Sequence, residues 1–537
     1  MAASLPIPVF TNLEDLYQNL GTSLNHAERW DNLSKEFKAR FGRAPAYIAR
    51  APGRLTRVPG EHIDYQLFGC FPAAIEHDIL IACAPRSPTG NSHGDVVAEN
   101  LYPKYTRQGF APVRQWHLDI NRSELRWESY VKAGYYGVLN HYFAPGETEQ
   151  PIPVDLLVTG SVPPGSGLSS SAAMVVGSTL AFLAVNGLVD DSSSRARATA
   201  PLNKGSLVEM AMENEKRVGV NSGGMDQAAS VIALANSALY ISFFPKLAAE
   251  TIPLPGSSTS GKGGAVFICA NSLVVSDKAV HAKTRYNLRV VETLAAARIL
   301  ARRLGVKVGP SEKITLRTVM ARLLGEPEDA QSEDVEVYRK GLERMAKEVE
   351  CLRPEGKKDG EELGVTMETM VEWSGLDKVA FEQVYLSWVE VEATHFQLYK
   401  RAKHVYEEAL RVLQFRDVCL AAASSGTAGP TVFQQLGDLM STSHVSCSSM
   451  CECSCPELDE LTAIALKAGA YGSRVTGAGW GGCTVSLVDE DKVDEFIAKV
   501  KAAYGPYKNL EGGALRDVIF ATKPSSGACG EYPRGQG

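Results

Sequence analysis

The residues from Pro163 to Ala173, PPGSGLSSSAA, place two glycines and three consecutive serines directly ahead of an apolar run. Gly165 and Gly167 lack side chains, so the backbone there can approach a ligand closely and take positive φ. The serines supply hydroxyls. A helix beginning near Ala172 points its first free N–H groups, the positive end of its dipole, into the loop. Together these features make an anion site suited to a polyphosphate. No Gly-Lys-Ser/Thr follows the glycines, so the loop is not a Walker A sequence, and the Gly-x-Gly-x-x-Gly spacing of a dinucleotide site is absent. Taken alone, the loop reads equally well as a Gly/Ser turn before a core helix, because short glycine motifs recur by chance.

The flanking pattern supplies the elements that would position the loop. Val154–Thr159 reads as a strand running straight into it, giving a strand–loop–helix unit. Upstream, residues 1–45 read as an amphipathic helix, with Trp30, Leu33, Phe37 and Phe41 recurring at three- to four-residue spacing. Tyr47–Ala51 reads as a strand ending in a turn at Pro52-Gly53, and Asp78–Ala84 as a second strand. Residues 86–125 are polar and read as loops and short strands. Helices are expected over Gly205–Val218 and from Met225. The Gly/Ser/Pro segment 254–263 marks a domain boundary, dividing the chain into 1–253 and 264–537. A strand over Ala265–Ala270 follows. Residues 286–420 are mostly helical by periodicity, interrupted by a charged stretch at Arg353–Leu363. SRVTGAGWGGCTVSLV reads as strand, glycine turn, strand. The fold class is α+β with two lobes.

Composition bounds the function. The chain has 537 residues, 45% hydrophobic and 22% charged, with net charge −7. That length allows two or three domains with sizeable cores. The mildly acidic balance lacks the footprint of a nucleic-acid or membrane-surface binder. The N-terminus carries neither a basic n-region nor a long apolar h-region, so a cytoplasmic protein without a secretory signal is expected. The apolar stretch Ala172–Val189 contains Ser178, Thr179, Asn186 and Gly187 and reads as a buried helix rather than a membrane span.

Cys447, Cys451, Cys453 and Cys455 cluster, with His444 nearby. A zinc site is one reading. The tight pair is Cys-x-Cys rather than the wider spacing that structural zinc favours, and no second pair is evident, so reduced thiols near a helix start are the expectation.

Three further stretches surround the loop in order: PGRLTRVPGEHIDY (Pro52–Tyr65), GGMDQ (Gly223–Gln227) and VTGAGWGGC (Val475–Cys483). Each has an ordinary reading. Glu61, His62 and Asp64 could be polar turn residues, Asp226 a helix cap after two glycines, Tyr286 a packing residue and GAGWGG a tight turn. As an ordered set, however, they resemble the GHMP small-molecule kinases, and within them the galactokinases. Ala270–Glu292 and ECSCPELDEL (Glu452–Leu461) are similar to the long eukaryotic, fungal-like form, which carries the cysteine stretch without zinc. The resemblance runs from about residue 30 to 523.

The resemblance implies a two-lobed GHMP kinase fold with ATP and sugar bound in the cleft between the lobes, and a helical insertion in the C-terminal lobe. It implies transfer of the γ-phosphoryl of ATP to O1 of galactose. Arg54, Glu61, His62, Asp64, Gly223, Asp226 and Tyr286 would line the sugar site, with Asp226 as catalytic base and Arg54 as the cation beside it. Gly165, Gly167, Ser169 and Ser170 would touch the triphosphate, with Ser276 and Lys278 bordering the nucleotide. Ser171 and Glu215 would hold Mg2+ through hard oxygen ligands.

One departure stands out. Five residues, LTRVP, separate Arg54 from Gly60, where the family has four, and Thr56 stands where the family has Asn. In a continuous strand one extra residue reverses which side later side chains face. Either a bulge absorbs it, or Arg57 replaces Arg54 as the local cation. Two alternative functions follow: a galactose- and ATP-binding transcriptional sensor acting through a regulatory protein partner, or a kinase for N-acetylgalactosamine. The known sensors lose residues from the serine loop, which is intact here, so the enzyme is the favoured reading.

Overall fold

The computed structural model describes residues 2–17, 20–55, 59–87, 93–113, 116–121, 124, 126–143, 150–189, 202–219, 223–256, 264–275, 281–327, 334–354 and 364–533. Its strands are, in chain order, β1 (Val9–Phe10), β2 (Tyr47–Leu55), β3 (Ala73–Pro85), β4 (Val96–Asn100), β5 (Gln108–Phe110), β6 (Val154–Gly160), β7 (Ser237–Ser242), β8 (Ala248–Pro253), β9 (Ala265–Asn271), β10 (Gly472–Val475), β11 (Cys483–Asp489), β12 (Ile519–Thr522) and β13 (Cys529–Glu531). They form a mixed sheet ordered β1-β13-β2-β3-β6-β4-β5, an antiparallel sheet ordered β10-β11-β9-β12, and the hairpin β7-β8.

The large sheet is covered on both faces, which is why Ile79–Ala84 of β3 and Leu156–Val158 of β6 read as unbroken apolar runs. Side chains alternate along a strand. Ile48, Leu80, Ala82 and Leu157 therefore face Trp30, Leu33 and Phe37 of the helix Leu20–Phe41. Ala49, Ala51, Ile79, Ile81 and Cys83 face the opposite way, onto Val175, Val176 and Phe182 of the helix Ser170–Val185. That apolar helix is a core element, as expected, and among the described residues no helix is long and apolar enough to cross a membrane.

The expected turn at Pro52-Gly53 is instead part of β2. Asp78 uses its N–H on Ser161 Oγ (3.1 Å) and its carbonyl on the Ser161 N–H (2.9 Å), so it exchanges no ladder bond with its register partner Pro52. On the other side β13 pairs only with Ile48–Arg50. Pro52 thus occupies an edge position where its missing N–H breaks no ladder bond. A register shift falls between Pro52 and Arg54, so the irregularity lies upstream of Arg54.

In the second lobe β9 divides two cores by the same alternation. Phe267 and Cys269 face the helices Tyr286–Arg303 and Leu398–Ser425, whereas Val266, Ile268 and Ala270 face Pro456–Ala468 and Val493–Ala503. The helices Leu316–Leu324, Val335–Glu348, Met367–Ser374 and Lys378–Tyr385 lie within the stretch read as helical. The segments 257–263 and 355–363, read from sequence as linker and charged loop, lie outside the described residues. One strand crosses the division at 1–253 and 264–537: β13, the last strand among the described residues, pairs with β1 and β2 and so joins the first lobe's sheet.

Candidate active site

The serine loop sits between the two lobes. Its helix begins at Ser170, and the cap residue Ser169 is left-handed (φ 59°) with no side-chain capping bond. Ser169 Oγ is buried without a hydrogen-bond partner. The loop is clamped from both sides. Its Leu168 carbonyl accepts from the Arg54 N–H at 3.1 Å, and its Ser166 carbonyl accepts from the Cys483 N–H at 2.8 Å. Gly167 has φ +76°, and a Cβ there would lie 2.6 Å from the Thr476 carbonyl oxygen, so only glycine permits the loop to press against the GAGWGG turn. An uncapped helix start, an orphaned hydroxyl and close backbone approach together fit a bound polyphosphate.

The loop residues Gly165, Gly167, Ser169, Ser170 and Ser171 line a cavity of 530 Å³. Its far wall holds Tyr102, Lys104, Tyr105 and Trp127, a set that the sequence reading did not assign. They come from the turn after β4 and from the helix Trp127–Tyr142. The only signal in the sequence is the density of aromatic rings in a stretch otherwise rich in polar residues.

An adjoining cavity is lined by Arg54, Glu61, His62, Asp64, Ser171, Glu215, Asp226 and Tyr286. Ser171 belongs to both cavities, so the two are contiguous. Arg54, near the end of β2, donates through Nε to Asp226 Oδ1 and lies 3.6 Å from Glu61 Oε1. Its Nη1 is buried with no hydrogen-bond partner. Burial alone would lower the guanidinium pKa, but Asp226 and Glu61 outweigh it and raise the value. Asp226 is the second residue of the helix Met225–Ile232, whose cap is Gly224, so it is not the capping residue.

Asp64 Oδ2 accepts from the N–H groups of Gly223 (3.1 Å) and Met225 (3.4 Å), tying the GEHID turn to the GGMDQ turn. A Cβ on Gly223 would lie 2.5 Å from the Asp64 backbone, which makes glycine obligatory. Burial, reinforced by Asp226, pushes the Asp64 carboxyl up to about 6 against the opposing effect of Arg54. Glu61 Oε1 accepts from the Gly477 N–H (2.9 Å), and His62 Nε2 meets the Ala478 carbonyl (2.9 Å), so both side chains also hold the glycine turn. The rings of Tyr65, Tyr286 and Trp480 surround His62.

Glu215 ends the helix Lys204–Glu215 and accepts from Gln227 Nε2. A carboxylate and the Ser171 hydroxyl in one cavity are the hard oxygen donors that Mg2+ takes. The arrangement therefore sets the serine loop, the Ser171 and Glu215 oxygens, a buried Arg–Asp pair and a polar pocket around two adjoining cavities.

Known proteins give this geometry a family. The Galactokinase galactose-binding signature matches residues 35–85, the GHMP kinases N terminal domain 129–233 and the GHMP kinases C terminal model 431–506. The chain is 34% identical over 540 residues to a galactokinase of Dictyostelium discoideum, covering 97% of both chains. It is 35% identical over 526 residues to a galactokinase of Saccharomyces cerevisiae, covering 94% of both. The chain belongs to the galactokinase family. Its fold is the GHMP kinase fold: a solved Lactococcus lactis galactokinase complexed with galactose superposes with a TM-score of 0.62 at 21% identity, covering 93% of this chain and 99% of that one.

As a galactokinase-family site, the two cavities bring together Arg54, Glu61, His62, Asp64, Asp226, Tyr286, Ser171 and Glu215, with Gly165, Gly167, Ser169 and Ser170 alongside. Gly223 reaches the pocket through its bond to Asp64. Ser276 and Lys278 lie outside the described residues, as do Thr56 and Arg57. Among the described residues the cation that pairs with Asp226 is Arg54. All eleven cysteines are free thiols. His444, read as the neighbour of the cysteine cluster, bonds Thr462 Oγ1 (3.0 Å), faces Asp459 (3.1 Å) and takes the N–H of Val475, which packs with Cys447, Cys451 and Cys453.

Proposed function

We propose that the chain binds galactose in the pocket around Asp64 and Tyr286, binds ATP with Mg2+ along the serine loop, and transfers the γ-phosphoryl group to O1 of galactose. The products are galactose 1-phosphate and ADP. The observation that carries this reading is the buried Arg54–Asp226 pair, which lines the same cavity as Ser171 and Glu215 and opens onto the phosphate loop.

In this reading Glu61, His62, Asp64, Gly223 and Tyr286 orient the sugar, and Asp226 accepts the proton of the O1 hydroxyl as it attacks. Arg54 holds that carboxylate in place and offers its Nη1, which faces Glu61 at 3.6 Å but makes no hydrogen bond, to the oxygens of the transferring group. The backbone of Gly165 and Gly167 and the hydroxyls of Ser169 and Ser170 hold the triphosphate. Ser171 and Glu215 would hold Mg2+, which supplies charge neutralisation on phosphate oxygens. Tyr102, Tyr105 and Trp127 are apolar surfaces for the nucleotide base. Positioning and electrostatics supply most of the rate enhancement.

The test is ADP release by the purified chain with galactose and, separately, N-acetylgalactosamine. Galactose-dependent turnover is expected. Binding of galactose and ATP without turnover would move the chain to the sensor reading. Preference for the acetylated sugar would move it to the sister kinase.

A further inference from the structure

The cysteine cluster takes no part in this chemistry, yet it lies against the sugar pocket. Cys447–Cys451 forms an irregular turn after the helix Pro430–Ser446. The chain then folds back, so that the Cys453 N–H donates to the Cys447 carbonyl at 2.9 Å. Arg289 fixes this return by donating to the carbonyls of Cys451 (2.7 Å) and Glu452 (3.0 Å). The result is a group that sequence spacing does not reveal. A ring nitrogen of His62 and the sulfurs of Cys451 and Cys453 all lie within 4.8 Å of one another, and all three side chains are buried.

We propose that His62, Cys451 and Cys453 form a site for a thiophilic divalent cation such as Zn2+, and that filling it excludes galactose. Zinc bonds thiolate sulfur at about 2.3 Å and imidazole nitrogen at about 2.1 Å in a tetrahedron, which sets ligand atoms roughly 3.5–3.8 Å apart. Side-chain rotation that draws the three together by about an ångström meets that geometry. On binding, each thiol gives up its proton to solvent, so one divalent ion enters and two protons leave, with no change of oxidation state. His62 must also surrender one of its present contacts, to Tyr65 Oη or to the Ala478 carbonyl. The same imidazole lines the sugar pocket, which gives the ion a path in and makes its binding mutually exclusive with the sugar. The exclusion rests on the assignment of that pocket to galactose; the metal site itself does not. Three protein ligands leave a fourth position open to water, unlike the closed four-ligand set of structural zinc sites.

The probe is Cd2+, titrated into chelator-treated, reduced full chain without ATP or Mg2+ and followed by thiolate-to-cadmium charge-transfer absorption. One ion per chain, two protons released and at least tenfold weaker binding by Cys451→Ala and Cys453→Ala are expected. Cys455→Ala, which removes a thiol outside the group, should bind like the parent. In the turnover assay Zn2+ should inhibit competitively with galactose, chelator should restore activity, and the Cys451→Ala and Cys453→Ala variants should escape. Absence of the cadmium–thiolate band in the unsubstituted chain overturns the proposal without reference to any variant. So does inhibition that competes with ATP, or that is equal in the cysteine variants. Lack of galactose turnover by the chelator-treated chain, once ATP and excess Mg2+ are resupplied and no Zn2+ is added, would instead sink the kinase reading and leave the cadmium titration to decide the metal site.

Discussion

Replacing Asp226 with Asn separates chemistry from architecture at this site. The amide oxygen can still accept from Arg54 Nε, and Arg54 keeps Glu61 at 3.6 Å as a second counter-charge. What is lost is the step from a charge-assisted to a neutral hydrogen bond, about 1–2 kcal/mol of folding stability. The catalytic loss is far larger. Removing a positioned general base costs about 10²–10⁴ in rate, which at about 1.4 kcal/mol per tenfold is roughly 3–5 kcal/mol of barrier. ADP release at saturating ATP and galactose should therefore fall by two to four orders of magnitude. A thermal melt should show only a small shift, and calorimetric ATP affinity should stay near the parent value. If kcat remains within about threefold of the parent, Asp226 is not the base. If the variant instead unfolds at ambient temperature, the pair is structural first and the assignment of roles is wrong.

Three further outcomes follow from the same geometry. Arg54→Ala leaves Asp226 without its buried ion-pair partner and Glu61 with only Arg474 at 3.9 Å, so it should cost about 3–5 kcal/mol of stability as well as turnover, whereas Arg57→Ala should leave both near the parent values. Equal effects on melting temperature and kcat would refute the choice of Arg54. The Asp64 carboxyl, pushed up to about 6 mainly by burial, must be ionised to accept sugar hydroxyls. Because kcat/KM reports the free enzyme, its value for galactose should be flat above that pH and fall as pH drops through it, and a profile flat down to pH 5 would count against the role. Burial lowers the His404 imidazole to about 4 against the opposing pull of Glu408, so the folded state keeps it neutral. Stability linked to His404 is complete above its unperturbed value of 6.5 and is lost as pH falls toward 4, up to about 3 kcal/mol. Denaturant melts of the parent and His404→Gln across that window should converge at the acid end.

The features legible in the sequence are those whose cause is local. The serine loop announces itself because glycine and serine chemistry acts within a few residues, and the second half of β3 and the middle of β6 because a stretch buried on both faces is apolar; the first half of β3 carries Glu76 and His77 and goes unread. Pro52 misleads because its acceptability depends on where β13 ends, several hundred residues away in the chain. The helix Trp127–Tyr142 escapes a propensity reading because Gly134 and Gly137 weaken it locally. A Cβ at Gly134 would lie 2.8 Å from the Val175 carbonyl oxygen and one at Gly137 2.9 Å from Met210 Cγ, so both glycines serve contact with neighbouring helices. The aromatic wall of Tyr102, Tyr105 and Trp127 is assembled from separate segments and leaves no spacing to read. Glu408 and Arg474 are invisible for the same reason, although Glu408 holds the Gly60 N–H and Arg474 faces the carboxylates of both Glu408 and Glu61.

Those two residues bear on the extra position between Arg54 and Glu61. The argument that one added residue reverses facing holds only along an unbroken strand, and β2 ends at Leu55. Arg54 is placed by its own bond to Leu168 and by the pairing of Leu55 with Ala73. The residues after the added position are placed independently. The Gly60 N–H donates to Glu408 Oε1 at 2.7 Å, the His404 ring meets the Glu61 carbonyl at 3.0 Å, and the Gly477 N–H meets the Glu61 side chain. Glu408 can serve as that post because, although burial would raise its pKa, Arg411, His404 and Arg474 outweigh it and hold the carboxylate at about 2. It therefore stays ionised throughout the range in which the enzyme would work. The facing of Arg54 and of Glu61 is thus decided by two separate sets of contacts, one on the phosphate loop and one on the helix Leu398–Ser425. A change in the number of residues between them does not have to propagate into the site.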